Sequence, residues 1–126
     1  MSVALNHTIV YAQDRDASAA FLTEILGLPA PTAFGPFLAV RLSNGVTMDF
    51  LTSGKRPASQ HYAFLVSETE FDEIMGRIRA RKLRYWADPA QRREGEINTN
   101  DGGRGAYFED PNGHFLEIIT RPYGGA

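Results

Sequence analysis

Apolar positions along the chain switch between two periods, and each switch marks an element. From residue 4, ALNHTIVY is rich in strand formers, and QDRDAS then supplies turn residues and two candidate helix caps, Asp14 and Asp16. Phe21, Leu22, Ile25 and Leu26 form a stripe at helical spacing with Gly27 placed to end it, which predicts a helix over 15–26. Two short apolar runs, 36–42 and 46–52, flank Ser43-Asn44-Gly45, and Asn-Gly between such runs predicts a hairpin. The first half therefore reads β-α-β-β. After the polar stretch 55–60 the order returns, beginning with a strand over 61–66. Ser67 and Glu70 form a capping box, and Phe71, Ile74, Met75 and Ile78 follow at i, i+3, i+4 and i+7, which predicts a helix over 68–82. A short strand near 83–87 and a polar stretch from Asp88 to Gly103 come next. RGAYFED and HFLEIIT then form a closing hairpin around Asp110-Pro111-Asn112-Gly113.

Composition narrows what such a chain can do. At 126 residues it has room for one compact domain. Thirteen basic against fifteen acidic residues, with no long basic run, argue against a nucleic-acid binder, whose affinity rests on neutralising phosphates. A small molecule is the expected partner. There is no cysteine, which excludes disulfides, thiolate metal sites and cysteine nucleophiles, so any metal must be held by nitrogen and oxygen. No segment approaches the roughly 18 apolar residues of a membrane span, and the first residues lack a basic leader. A soluble, cytoplasmic protein with no membrane partner is expected.

Laying the halves over each other aligns His7 with His61 and VTMDFLT (46–52) with HFLEIIT (114–120), so a histidine opens each half and a carboxylate, Asp49 or Glu117, sits in its last strand. Alternation places Glu117 on one strand face with Phe115 and Ile119, opposite Leu116 and Ile118. Apolar neighbours on both faces predict a buried carboxylate that must be protonated, paired or metal-bound. Two histidines and two carboxylates on strands suit a divalent iron, manganese, nickel, cobalt or zinc ion with open positions. His114 falls on the face opposite Glu117 and is read as a surface or turn-packing residue.

GRGAYFEDPNGHFLEIIT, with LNHTIVYAQD and HYAFLV, resembles the vicinal oxygen chelate superfamily, which includes glyoxalase I, extradiol dioxygenases, fosfomycin-modifying enzymes and bleomycin-resistance proteins. The resemblance covers essentially the whole chain, and the Y-F-x-D-P-x-G-x-x-x-E pattern at 107–117 is its most specific part. It implies an α+β fold of two tandem βαβββ modules, about 1–54 and 60–122, whose mixed sheets form a cup around a divalent metal. It also implies a homodimer in which a module of one subunit completes the cup of the other. His7, His61 and Glu117 match the family's metal ligands. Asp49 falls where glyoxalase I has a glutamate, one methylene longer, while several three-ligand members have no ligand there.

The same resemblance shapes the substrate question. Fosfomycin enzymes carry a threonine two residues after the first histidine, where this chain has Ile9, and a lysine near Trp86 and Ala87, although Tyr107 matches their substrate-contacting tyrosine. Extradiol dioxygenases are commonly longer, and bleomycin-binding members commonly lack the metal ligands kept here. The family implies Glu117 and Tyr107 as proton-handling catalytic residues. From the strand pattern, Arg41 shares a face with Phe37 and Ala39, where it would either clamp a substrate carboxylate or serve as a surface arginine. Trp86 and Tyr85 line the pocket or belong to the core, and the stretch 88–103 is a lid or merely mobile. The expected function is a metal-dependent enzyme with isomerase, lyase or dioxygenase chemistry. It would chelate two adjacent substrate oxygens by Lewis acidity. The rival is a binding protein that sequesters its ligand unchanged.

Overall fold

Each half of the chain builds its own four-stranded mixed sheet and one long helix, giving βαβββ twice in tandem. A computed structural model describes residues 2–125, and the chain divides into two compact units, Met1–Ala58 and Ser59–Ala126.

In the first unit, β1 (His7–Ala12) leads into α1 (Arg15–Leu26), then β2 (Thr32–Phe34), β3 (Phe37–Arg41) and β4 (Thr47–Thr52). Of the two candidate caps it is Asp14 that acts, its Oδ1 accepting from the backbone N–H of Asp16 at 3.0 Å and Ala17 at 3.3 Å. Gly27 ends the helix at φ 71°, a left-handed conformation that glycine adopts without steric cost. Leu22 and Ile25 are buried, and α1 packs on β1, β3 and β4, whose residues Val10, Ala12, Val40, Met48 and Phe50 complete the core. Each large side chain buried in this way contributes about 1.5–3 kcal/mol. The strands lie in the order β1-β4-β3-β2, with β1 parallel to β4 and the other pairs antiparallel.

Two features differ from the pattern of the sequence. The β-α-β-β reading lacks β2, an edge strand of three exposed residues set among Pro29, Pro31 and Pro36 with no apolar run to mark it. Strand β1 starts at His7 rather than residue 4, because its ladder with β4 begins at the His7–Thr47 pair.

The second unit repeats the plan with β5 (His61–Leu65), α2 (Glu68–Ala80), β6 (Tyr85–Trp86), β7 (Gly105–Glu109) and β8 (Phe115–Ile119), in the order β5-β8-β7-β6. The capping box forms in full, with Ser67 Oγ accepting from Glu70 N at 3.1 Å and Glu70 Oε1 accepting from Ser67 N at 2.8 Å. Phe71, Ile74, Met75 and Ile78 are buried with Phe64, Ala106, Phe108, Leu116 and Ile118. The helix stops at Ala80, short of residue 82, where Lys82 turns the backbone to φ 56°.

The long polar stretch is held by its own hydrogen bonds. Asp88 Oδ1 accepts from the N–H of Arg92 and Arg93, Asn98 Nδ2 donates to Ala87 O at 2.8 Å, and Gly95 N donates to Tyr85 O at 2.8 Å. Its last residues pass close to the end of β8: a Cβ on Gly103 would stand 2.5 Å from Thr120 Oγ1 and 2.6 Å from Arg121 Cγ. Only glycine fits that approach.

Candidate metal centre

In the second unit β5 and β8 run parallel with His61 opposite Phe115 and Ala63 opposite Glu117, so His61 and Glu117 lie on one face two residues out of step. Their side chains meet, with His61 Nε2 3.1 Å from Glu117 Oε1. His61 Nδ1 is 2.9 Å from Phe115 O, and a carbonyl can only accept, so Nδ1 carries a proton. Nε2 and a carboxylate oxygen are then two lone-pair groups facing each other, a contact that needs a proton or a cation between them. Histidines that hold metals commonly donate their other ring N–H to a carbonyl in this way. Glu117 is 2% exposed, as its apolar neighbours predict.

Two phenols converge on the same carboxylate. Tyr107 stands directly opposite Glu117 on β7 and interacts with both Glu117 and Tyr123. Burial first, then the hydrogen bond with Tyr123 and the charge of Glu117, push the Tyr107 phenol well above its ordinary 10.0, so at neutral pH it is a donor and not a base. The Tyr123 hydroxyl donates to Glu117, 2.9 Å from Oε1 and 3.2 Å from Oε2. Its hydrogen bond with Tyr107 pulls its pKa down, but burial and the Glu117 carboxylate outweigh this and the net direction is upward. Tyr123 is not among the expected site residues: it follows the last strand in RPYGGA, and neither period nor motif singles it out. The available signal was an aromatic hydroxyl six residues beyond a buried carboxylate.

Aromatic rings wall this face. Phe115 stacks on Tyr107 with centroids 5.3 Å apart, and His61 lies 6.1 Å from each of them. Trp86, on the same cross-strand row as Tyr107 and Glu117, is buried against Phe115, and its Nε1 has no hydrogen-bond partner among the described residues. It is a core residue of this unit. His114 is buried in the turn, not on the surface: its Nδ1 accepts from Gln60 N at 3.0 Å and its backbone N–H donates to Asp110 Oδ1 at 2.8 Å. Asp110 also accepts from Asn112 N, and Gly113 takes φ 86°, which is the physical content of the D-P-x-G segment.

The first unit repeats the arrangement with one difference. His7 pairs with Thr47 and Ile9 with Asp49 on parallel strands, giving the same two-residue offset. His7 Nδ1 bonds Asn6 Oδ1 at 2.8 Å, which again leaves Nε2 with its lone pair. Asp49 is 6% exposed and makes no side-chain hydrogen bond or ion pair among the described residues. Its carboxylate lines an open cleft of about 460 Å³ with His7, Arg41, Thr32, Thr47 and Phe34. Arg41 is exposed at the cleft wall. Among the described residues, no group of three or more histidine, aspartate or glutamate side chains forms a metal-holding cluster. The structure brings together His61 with Glu117 and Tyr107, and, around the cleft, His7 with Asp49 and Arg41.

Comparison with known proteins gives this duplicated plan a place. The solved structures of Oxidase ChaP-H1 and Oxidase ChaP-H2 are each 64% identical in sequence and superpose with a TM-score of 0.96. The first covers 98% of this chain and 100% of its own, the second 99% and 98%. Metallothiol transferase FosB of Shouchella clausii (strain KSM-K16) is 27% identical over 125 residues, spanning 92% of this chain and 79% of that protein. The model of the Glyoxalase/Bleomycin resistance protein/Dioxygenase superfamily matches residues 4–118, and the chain belongs to that superfamily.

Proposed function

We propose that the protein is a metal-dependent oxidase of a small molecule bearing two adjacent oxygens. The observation that carries this reading is 64% identity, over nearly the whole chain, to two proteins named as oxidases. The donor chemistry supports it. Two imidazoles, each with Nδ1–H donated to an oxygen so that Nε2 can serve as the ligand atom, plus a buried carboxylate, make the two-histidine, one-carboxylate set that suits iron(II) with open positions. His7, His61 and Glu117 would hold the ion, with Asp49 as a fourth ligand directly or through a water. When bound, the metal would supply Lewis acidity, open positions for vicinal oxygens and, as iron(II), reactivity toward dioxygen, the electron acceptor.

The chain's own groups do the rest. Tyr107, kept protonated beside Tyr123 and Glu117, can turn its O–H to a substrate oxygen and stabilise negative charge as it develops there. Phe115 and Tyr107 exclude water from one side of the carboxylate, and Arg41 at the cleft wall receives an anionic or carbonyl group of the substrate.

Each unit carries half of this donor set, so the active species is a homodimer in which His7 and Asp49 of one subunit meet His61 and Glu117 of the other. The sheet face bearing His7 and Asp49 also exposes Ile9, Tyr11 and Phe34, an apolar surface of the kind that marks an interface. No helix among the described residues is long and apolar enough to cross a membrane. The proposed place of work is the cytoplasm.

Anaerobically purified protein, loaded separately with iron(II), manganese, cobalt, nickel and zinc, would be offered catechols and α-hydroxy ketones while oxygen uptake is recorded. Metal-dependent oxygen uptake with a changed organic product supports the proposal. Compounds that bind yet return unchanged with every metal overturn it in favour of a sequestering protein.

A further inference from the structure

Tyr123 lies beyond the last strand, in the short 3-10 turn Tyr123–Gly125, and is 65% exposed, yet its hydroxyl reaches inward to a carboxylate that is 2% exposed. Fixing an exposed tyrosine in one rotamer costs entropy, so its turn must be held in place. The structure supplies the tie. The turn packs against the 3-10 turn Asn100–Gly102 at the end of the long polar stretch. That stretch is in turn bound to the end of β8, where Arg104 N donates to Thr120 Oγ1 at 2.7 Å and Thr120 N donates to Arg104 O at 2.9 Å. Glycine at 103 allows the two segments to approach.

The end of the polar stretch thus packs against the turn that delivers one hydroxyl. We propose that Tyr123 is a positioning residue for Glu117, its phenol holding the carboxylate with Oε1 turned toward His61 Nε2. Backbone pairing fixes where Cα of Glu117 sits, but the side chain has three rotatable bonds beyond it. Tyr107 restrains it from the adjacent strand, and Tyr123 restrains it from the turn beyond β8, spanning both oxygens at 2.9 and 3.2 Å. Without the second phenol the carboxylate is free to rotate away from the imidazole, and the donor pair is no longer preorganised.

This inference rests on His61 and Glu117 holding the metal, so the test reads metal binding and not turnover. Cobalt(II) is titrated into the full-length protein, Tyr123→Phe and Tyr123→Ala, with affinity and the visible absorption of bound cobalt recorded beside circular dichroism and thermal unfolding of the metal-free proteins. Loss of a residue that orients a metal ligand typically lowers affinity about 10–100-fold. That loss is expected in Tyr123→Phe, with altered cobalt bands and an unchanged unfolding midpoint, and Tyr123→Ala should match it. A Tyr123→Phe protein with the parent's affinity and spectrum overturns the inference. So does an effect confined to Tyr123→Ala, which would mean that the ring covers the site and the hydroxyl does nothing. A parent that binds no cobalt overturns the metal reading itself and this inference with it, an outcome visible before any variant is compared.

Discussion

Glu117 stands two residues ahead of His61 across a parallel strand pair, and its Oε1 reaches the imidazole Nε2 at 3.1 Å. Asp49 stands in the same relation to His7, yet the one-methylene-shorter side chain makes no hydrogen bond to the imidazole, whose proton goes to Asn6. The two units therefore share a backbone plan and differ in how far their carboxylates are committed. Glu117 is pinned by histidine and two phenols. Asp49 is buried beside a cleft with no side-chain partner among the described residues, which leaves it available to an incoming cation or a ligand hydroxyl.

Removing a donor from the second unit should abolish strong metal binding while leaving the fold intact. His61→Ala and Glu117→Ala are each expected to weaken cobalt(II) or iron(II) affinity by at least about 100-fold, because each deletes a coordinating group outright where loss of a group merely supporting a ligand already costs 10–100-fold. Circular dichroism should be unchanged, since most of the core of this unit, Phe64, Phe71, Ile74, Ile78, Phe108, Leu116 and Ile118, is apolar packing that neither substitution removes. Parent-like titration curves in both variants would mean the metal, if any, binds elsewhere.

Two defective proteins should rescue each other. When His7→Ala and Glu117→Ala are mixed under conditions of verified subunit exchange, half of the resulting dimers are expected to be heterodimers. Each heterodimer would carry one site lacking both ligands and one complete site, so about a quarter of the parent's sites should return. Metal content after chelator competition measures this. Persistent inactivity despite exchange would show that the ligands of each site come from a single chain.

Tyr107 should remain protonated in alkali that ionises ordinary tyrosines. Its pKa is raised above 10.0 chiefly by burial, so the neutral phenol favours the folded state, and the stability it contributes is complete below pH 10 and declines as pH rises beyond it. Absorbance of phenolate near neutral to pH 10 should be the same in the parent and in Tyr107→Phe, and the variant should lose less stability above that pH. A phenolate present below pH 10 in the parent and missing in the variant would contradict the donor role.

The capping box offers a check on the fold independent of the site. Ser67→Ala is expected to destabilise the protein by about 1 kcal/mol in urea unfolding at neutral pH, the usual loss for an N-cap hydroxyl. The Glu70 carboxyl is held below 4.5 by hydrogen bonds from the Ser67 backbone and side chain, so its stabilisation is present above that pH and lost as pH falls further. The difference between parent and variant should therefore shrink in acid. An equal difference at both pH values would assign the effect to the helix alone.

Local rules carried much of this protein. The α2 stripe and its capping box, the Gly27 terminus, the Asn44-Gly45 hairpin and the Asp110 turn are each decided within about ten residues, by periodicity, side-chain hydrogen bonding or the backbone freedom of glycine. The burial of Glu117 was legible too, because strand alternation places apolar residues on both of its sides. What lay beyond the sequence was set by pairing and long-range contact. Strand β2 exists only because β3 offers an edge to exposed residues with no apolar pattern. His114 is buried in a turn where Gln60, 54 residues away, donates to its ring, and Tyr123 meets Glu117 from a turn that packs on Asn100–Gly102. Side-chain periodicity reports which face a residue takes, whereas such meetings depend on how distant backbone segments converge, and that information resides only in the folded chain.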